Sequence, residues 1–415
     1  MSHDDRSGSG SASEGAAVAE PRRIFWLLRA YGLLSLVSGL LILVVAGLIA
    51  FALATHADEL LARSHDMTLT LQLSVVHVLV YVVTAAVAVV FGISLLRNHR
   101  RNAARYAYGL IALDVVSLVL EVMLRGAVQD ALGSIGHIVF LLVVAVTVDP
   151  TLIEERRRER AEQEAEDEAA ARAGTLGRAK GDRGFIALDF FNLFWVFVVC
   201  CVLGLFIETV YHMVVVDPGV YQDRAGMLFG PFSPIYGVGA VLMTVALNRF
   251  WRASPVVVFL VAAVIGGLFE AATSWFMQVG FGAVAWDYSG FTIFGLFPDP
   301  IAELMGGRTS TLFMCMWGAL GLFWIRVCLP RLLKLINVIP WRMRYSLTSV
   351  CAALMLVNAI MTFQSLECWY QRESGLAPSS PVEEFYAEHF DDAYMEHRFQ
   401  SMTITPEDSA RISES

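Results

Sequence analysis

The chain has 415 residues, of which 56% are hydrophobic and 17% charged, a balance far from that of a soluble globular domain. Its formal net charge is −9 and no basic stripe with interleaved aromatics appears, which argues against nucleic acid as a partner. Apolar runs of 18 or more residues recur, each long enough to cross a hydrocarbon core of about 30 Å as a helix, so the composition predicts an all-α polytopic protein of the lipid bilayer.

Residues 1–20 are rich in Ser, Gly and Ala with scattered acids, and read as a disordered tail. A four-helix transmembrane unit follows at 21–150, with apolar runs from Ile24 to about Ala54 and at about 70–96, 105–124 and 131–148. Residues 151–184 read as a charged cytoplasmic linker, whose mixed signs from Glu154 to Glu168 carry no apolar face. A five-helix unit at 185–368 has runs at about 187–215, 228–249, 255–279, 309–329 and 345–367. Residues 369–415 form an acidic tail: after Tyr370 it carries ten acids against three arginines, and 383–397 is a candidate amphipathic helix.

The charges between the nine expected spans give a consistent sidedness. Arg22, Arg23 and Arg29 flank the first span, Arg97, Arg100, Arg101 and Arg105 follow the second, Arg249 and Arg252 the sixth, and Arg331, Lys334, Arg342 and Arg344 the eighth. Lys and Arg in short loops stay on the cytoplasmic side. The expectation is therefore a multi-pass protein of the cell membrane with its amino terminus cytoplasmic and its carboxyl terminus extracytoplasmic. Five of the six cysteines lie in apolar segments without a C-x-x-C pair and read as small packing residues; Cys368 stands at a membrane edge. His389, Asp392 and Glu396 have ligand-like spacing, but charge-rich helical tails are far commoner than metal sites, and neither a metal nor a cofactor is expected.

The second half contains an internal repeat. Gly204-Leu-Phe-Ile-Glu208 and Gly266-Gly-Leu-Phe-Glu270 are both G-x-x-x-E. Asp223-Arg-Ala-Gly226 then Phe229-Gly230 corresponds to Asp287-Tyr-Ser-Gly290 then Phe294-Gly295, and Tyr236-Gly237-Val-Gly239-Ala240 to Trp317-Gly318-Ala-Leu-Gly321. The units run the same way across the membrane, which makes the repeat parallel.

A carboxylate inside a span costs a few kcal/mol and must face protein or water. Glu208 and Glu270 either cement the bundle or line an outward-opening polar cavity that meets a solute or proton, with Arg224 and Arg308 as their natural partners. The glycine one turn earlier would let another backbone approach the carboxyl. Tyr236, Trp286, Asp287 and Tyr288 complete the candidate lining. Gly226, Gly230, Pro231, Ser233, Pro234, Gly237 and Gly239 make a segment too irregular for a span, read as a loop dipping back toward the bilayer before a helix with Ser233 as its cap and Pro234 in its first turn. In the first half Asp114, Glu121 and Arg125 share one helix face, and His77 lies in the preceding span; these read as an internal salt-bridged seam.

From about Phe190 to Arg331 the sequence resembles the CmpB-type membrane proteins, a family described as putative ABC-transporter type IV, whose members are regarded as ABC transporter permeases. The resemblance rests on Gly204 and Glu208; Gly226, Gly230-Pro231, Ser233-Pro-Ile-Tyr-Gly237 and Gly239-Ala240; Glu270 and Ser274-Trp275; Trp286-Asp-Tyr-Ser289; Gly307-Arg308; and Trp317-Gly318. The chain departs from the family pattern by a long insertion before Gly307-Arg308, where Asn usually precedes Gly-Arg. The resemblance implies a membrane component of a transporter for an unknown small solute. No G-x-x-x-x-G-K-[ST] occurs, so any ATPase is a separate chain. The rival reading is a non-transporting membrane scaffold or envelope sensor. With no Ser-His-Asp, H-E-x-x-H or Cys-His arrangement at a shared depth, an enzyme is not expected.

Overall fold

A computed structural model of the chain describes residues 26–55, 68–126, 128–149, 151–181, 184–281 and 286–406. The expected disordered tail at 1–20 lies outside the described residues. Among the described residues seven helices are long and apolar enough to cross a membrane: Trp26–Ala52, Leu69–Leu96, Arg100–Arg125, Phe190–Val216, Pro255–Gly280, Thr311–Ile336 and Trp341–Glu373. Shorter apolar helices, Leu132–Val148 and Pro234–Phe250, stand where the fourth and sixth spans were expected. The protein is thus an all-α polytopic membrane protein, with strand among the described residues confined to the two-residue pair β1 (Thr292–Ile293) and β2 (Phe297–Pro298).

The first group comprises α1 (Trp26–Thr55), α2 (Leu69–Leu96), α3 (Arg100–Arg125) and α4 (Val128–Val148). Thr68 starts α2 by accepting from the Leu71 amide at 3.3 Å, and Gly126 ends α3 in a left-handed conformation at φ 66°. Small residues bring α1 and α2 together: a Cβ at Gly39 would lie 2.8 Å from Val89 Cγ2, and one at Gly92 2.9 Å from the Leu36 nitrogen. Without a hydrophobic force between helices in lipid, such close backbone approach supplies the packing. Phe91, Leu95, Ala103, Leu110, Leu141 and Val144 form the core that α2, α3 and α4 share.

The charged helix α5 (Thr151–Arg172) leads to α6 (Phe190–Tyr211), which continues through a π turn at His212–Val216. Then come α7 (Pro234–Leu247), α8 (Pro255–Phe281), the short α9 (Pro300–Leu304) and α10 (Thr311–Phe323). A second π turn, Trp324–Cys328, joins α10 to α11 (Leu329–Ile336), and α12 (Arg344–Glu373) is the last long helix. Prolines occupy the first turns of α7, α8 and α9, where the missing N–H has no intrahelical acceptor to lose. Leu247, Val258, Ala262, Ile325, Leu329 and Ile336 are central to this group's core.

Both expected polar appendages are packed in part. The segment after α5 tucks under the second group: Asn248 Oδ1 accepts from the amides of Phe185 and Ile186 at 2.9 and 3.1 Å, and Asn337 donates to the Leu176 carbonyl at 2.9 Å. The tail forms α13 (Pro381–His389) and α14 (Asp392–Arg398); their Val382, Tyr386 and Met395, with Phe390 between the two helices, are buried with Leu69, Leu73, Leu120 and Leu228. Apolar residues spaced along this acidic segment explain the difference: Glu384, Glu388, Asp391 and Glu396 are exposed while Tyr386 and Phe390 cover the bundle end. Glu383 accepts from the Thr70 amide at 2.9 Å, satisfying a donor at the start of α2 that no helix bond can reach. All six cysteines are free; Cys200, Cys201 and Cys368 are buried as packing residues, whereas Cys315 is exposed on the apolar surface.

Loops of like charge fall on the same end of the bundle. The start of α2, the end of α3 and the loop before α7 meet α13 and α14 at one end, through Thr70, Gly126 and Asp223. The arginine-rich turns meet α5 and its continuation at the other, with Arg101 paired to Glu155 at 2.7 Å and Tyr345 donating to Asp167 at 3.0 Å.

Candidate functional site

The internal repeat is written into the packing. A Cβ at Gly204 would fall 2.7 Å from Tyr236 Cδ2, and one at Gly266 would fall 2.6 Å from Trp317 Cδ2. Likewise Gly237 packs on Phe197, and Gly318 on Phe259. Phe197 precedes Gly204 by seven residues, as Phe259 precedes Gly266, so equivalent positions make equivalent contacts. The glycine of each G-x-x-x-E, on α6 or α8, therefore admits an aromatic ring of α7 or α10, not a backbone as expected. Gly239 then faces the other unit, with Phe269 and Trp317 at 3.4 and 3.7 Å from where its Cβ would be.

Each glutamate finds partners, and the two sets differ. Glu208 is ion-paired with Arg224 at 2.8 Å, and Arg224 also donates to Gln222 at 2.8 Å. Tyr236 adjoins this pair. Glu270 is 8% exposed and accepts from Tyr288 Oη at 2.8 Å, Thr309 Oγ1 at 2.9 Å and Trp317 Nε1 at 3.3 Å. Arg308 is not its partner: that guanidinium donates to Gln278 at 2.6 Å and to Ser274 at 3.5 Å. Tyr288 occupies the repeat position of Arg224, one residue after the aligned aspartate, so a neutral donor stands where the first unit has a cation. Asp223 and Asp287 even make the same turn, accepting from the amides of Ala225 and Ser289 at 2.9 and 2.8 Å. Burial first, then the bond to Glu270, push the Tyr288 phenol up, so it stays a neutral donor.

Distant blocks of sequence form one structure here. Trp286 Nε1 donates to the Arg308 carbonyl at 3.1 Å, and the Tyr288 amide to the Gly307 carbonyl at 2.8 Å. Gly307 has φ 74° and a Cβ there would run into the Asp287–Ser289 turn, so glycine is required on both counts. The insertion that precedes it is anchored by Asp299, which is 2% exposed and accepts from the amides of Ile301, Ala302 and Thr311 and from Thr311 Oγ1 at 2.8 Å. Burial alone would raise this carboxyl, yet the bonds from Ala302, Thr311 and Ile301 outweigh it and hold it below the usual carboxylate range. The anchoring is complete above the unfolded value near 3.9 and is lost as pH falls through the lower folded value. Protection of the Ile301, Ala302 and Thr311 amides, taken relative to their intrinsic exchange rates, is expected to fall on acidification below about pH 4. Asp299→Asn should lower protection at neutral pH by about 1–3 kcal/mol and remove the acid step; an unaltered pH profile would show that Asp299 is not the anchor.

The irregular stretch before α7 is also accounted for. Leu228 N–H donates to Thr362 Oγ1 at 2.8 Å, while Asn358 both accepts from Phe229 N–H at 3.1 Å and donates to its carbonyl at 2.8 Å. Arg398 donates to the Met227 carbonyl at 2.7 Å, the Gly230 carbonyl at 2.5 Å and Asp223 at 3.0 Å. Gly230, at φ 76°, makes the turn into Pro231. The stretch from 217 to 233 is irregular and leads into Pro234 at the start of α7, but Ser233 does not cap α7 with its side chain; its amide donates to the Cys201 carbonyl at 3.1 Å. Asn358 and Thr362 lie four residues apart in an apolar span, a signal visible in the sequence, whereas Arg398 gave none.

In the first group Glu121 and Arg125 pair at 3.6 Å as expected, and His77 meets Ser117 at 3.0 Å. Asp114 leaves that seam for His137 at 2.8 Å, which in turn meets Tyr31 at 2.9 Å, linking α3, α4 and α1. In the tail, His389 stacks on Phe385 and Asp392 pairs with Arg372 at 2.6 Å; among the described residues no group of three or more His, Cys, Asp or Glu could hold a metal ion.

No curated protein and no solved structure matches the chain. A family model does match, over residues 195–363, which takes in both G-x-x-x-E helices, the loops that follow them and the Asn358–Thr362 face of α12. Across residues 195–363, then, the chain is similar to the family described as Putative ABC-transporter type IV.

Proposed function

We propose that this chain is the membrane permease subunit of a transporter for a small solute, working with an ATPase on a separate chain. Its solute site lies where the two repeat units meet their outer loops, at Glu208, Arg224 and Tyr236 on one side and Glu270, Tyr288 and Trp286 on the other, with Asp287 and Arg308 holding the loop. The observation that carries this reading is the asymmetry of two equivalent intramembrane carboxylates. Glu208 is balanced by a cation, while Glu270 is held by neutral donors, and a carboxylate so placed is disposed to take a proton or a positively charged group. Rearrangement of Tyr288 and Thr309 would open Glu270 outward. With the arginine-rich turns cytoplasmic, α13 and α14 lie outside and the tucked linker inside, where an ATPase docks.

Replacing Glu208 and Glu270 together by Gln is expected to abolish solute uptake or binding in reconstituted vesicles, with the folded fraction unchanged. Uptake at the unsubstituted rate would sink the site. Copurification of a stoichiometric ATPase supports the transporter reading, whereas recovery of envelope-assembly proteins alone would favour a scaffold.

A further inference from the structure

A cavity of about 480 Å³ runs between α6, α7 and the α10–α11 helix, on the inward side of the aromatic-glycine contacts. Its volume is that of a ligand site, within the usual range of about 300–1,000 Å³. Its lining is apolar from Tyr236 and Trp317 at one end to Leu335 at the other, and Arg331 is the one charged group among its described lining residues. One flank opens sideways through the apolar surface: Leu203, Leu320 and Phe323 line it and are about half exposed. A water-soluble solute would have to enter through lipid to reach it. A hydrocarbon chain already in the bilayer would not.

Length and charge narrow the occupant. Trp317 and Arg331 are separated by about 20 Å of helix rise, comparable with the roughly 15 Å that one leaflet contributes to a hydrocarbon core of about 30 Å. The π turn at Trp324–Cys328 lies along this path, with Trp324 and Cys328 both lining the cavity. Pro330 stands directly before Arg331. Arg331 is exposed, and its Nη1 donates to the Val327 carbonyl at 2.9 Å, which leaves most of its five donors for another acceptor. Lys334 is exposed one turn further on. A cation at the bundle end, at the mouth of an apolar slot one leaflet deep, is complementary to an anionic headgroup with its chain in the slot.

We propose that this cavity holds one acyl chain of an anionic phospholipid from the leaflet on the arginine-rich side, its phosphate on Arg331 and its chain running past Trp324 toward Tyr236. The lipid is a resident ligand wedged between the repeat units, distinct from the solute bound at the outer carboxylates. Its binding requires no transport, so an assay of binding stands or falls apart from the permease reading.

The test uses the full chain purified in mild detergent, with native mass spectrometry reading bound lipid after incubation with phosphatidylglycerol or phosphatidylcholine of identical chains. Phosphatidylglycerol is expected at about one per chain, with retention lowered about fivefold in Arg331→Gln while phosphatidylcholine is unaffected. Ala240→Phe, which fills the slot, is expected to remove both lipids; Leu203→Trp, which closes the lateral opening on an exposed position, serves if that variant does not fold. Equal retention of the two lipids, indifference to Arg331→Gln, or retention that survives in whichever of Ala240→Phe and Leu203→Trp folds overturns the proposal. So does a wild-type chain that retains no phosphatidylglycerol.

Discussion

Gly266→Ala is expected to destabilise the protein by about 1–3 kcal/mol, and Gly204→Ala by a similar amount, because each new methyl group has no room to enter. At both positions the Cβ would overlap an aromatic ring of another helix, Trp317 of α10 in one case and Tyr236 of α7 in the other. Each of those rings also adjoins a glutamate: Trp317 Nε1 donates to Glu270 at 3.3 Å. Displacing the ring therefore disturbs the carboxylate as well as the packing, and the loss should appear both in thermal unfolding in detergent and in any solute binding. Gly239→Ala is the matched control, since its Cβ would lie no closer than 3.4 Å to Phe269 and 3.7 Å to Trp317. A Gly266→Ala protein as stable as Gly239→Ala would show that the repeat contacts do not hold the two units in place.

Arg398→Ala should release the cap formed by α13 and α14. One guanidinium serves two main-chain carbonyls and the Asp223 carboxylate, all in the irregular stretch that precedes α7. Without it the Met227 and Gly230 carbonyls lose their donors at the edge of the bundle, at a cost of about 2–4 kcal/mol. Amide exchange across residues 381–398 should then rise by roughly thirtyfold or more. Arg398→Lys should restore only part of the protection, because an ammonium cannot span the same set of acceptors in one plane. Unchanged exchange in the alanine variant would mean that the apolar contacts of Tyr386, Phe390 and Met395 hold the cap unaided.

The site was half legible in the sequence. Glu208 and Arg224 were readable as a pair because opposite charges near one membrane face have few other neighbours. The same logic applied to Glu270 pointed to Arg308, and there it failed: Arg308 goes to Gln278, and the carboxylate takes Tyr288, Thr309 and Trp317. The repeat alignment held the better signal, since Tyr288 stands one residue after Asp287 as Arg224 does after Asp223. Charge complementarity misled because three neutral donors can satisfy a carboxylate as well as one cation can, and residue type alone does not disclose them.

What the sequence by itself determined was the class of molecule, the positions of its apolar helices and the existence of a twofold pattern in the second half. Those follow from hydrophobic run length and residue spacing, which are local and survive without knowledge of the fold. Tertiary structure alone decided what the local pattern could not contain. The acidic tail is a cap because aromatics spread over twenty residues meet one bundle end, and the segment after α5 is held because Asn248 and Asn337 capture its backbone. The irregular stretch before α7 persists because Asn358, Thr362 and Arg398, more than a hundred residues away, satisfy main-chain groups that no helix or strand pairs.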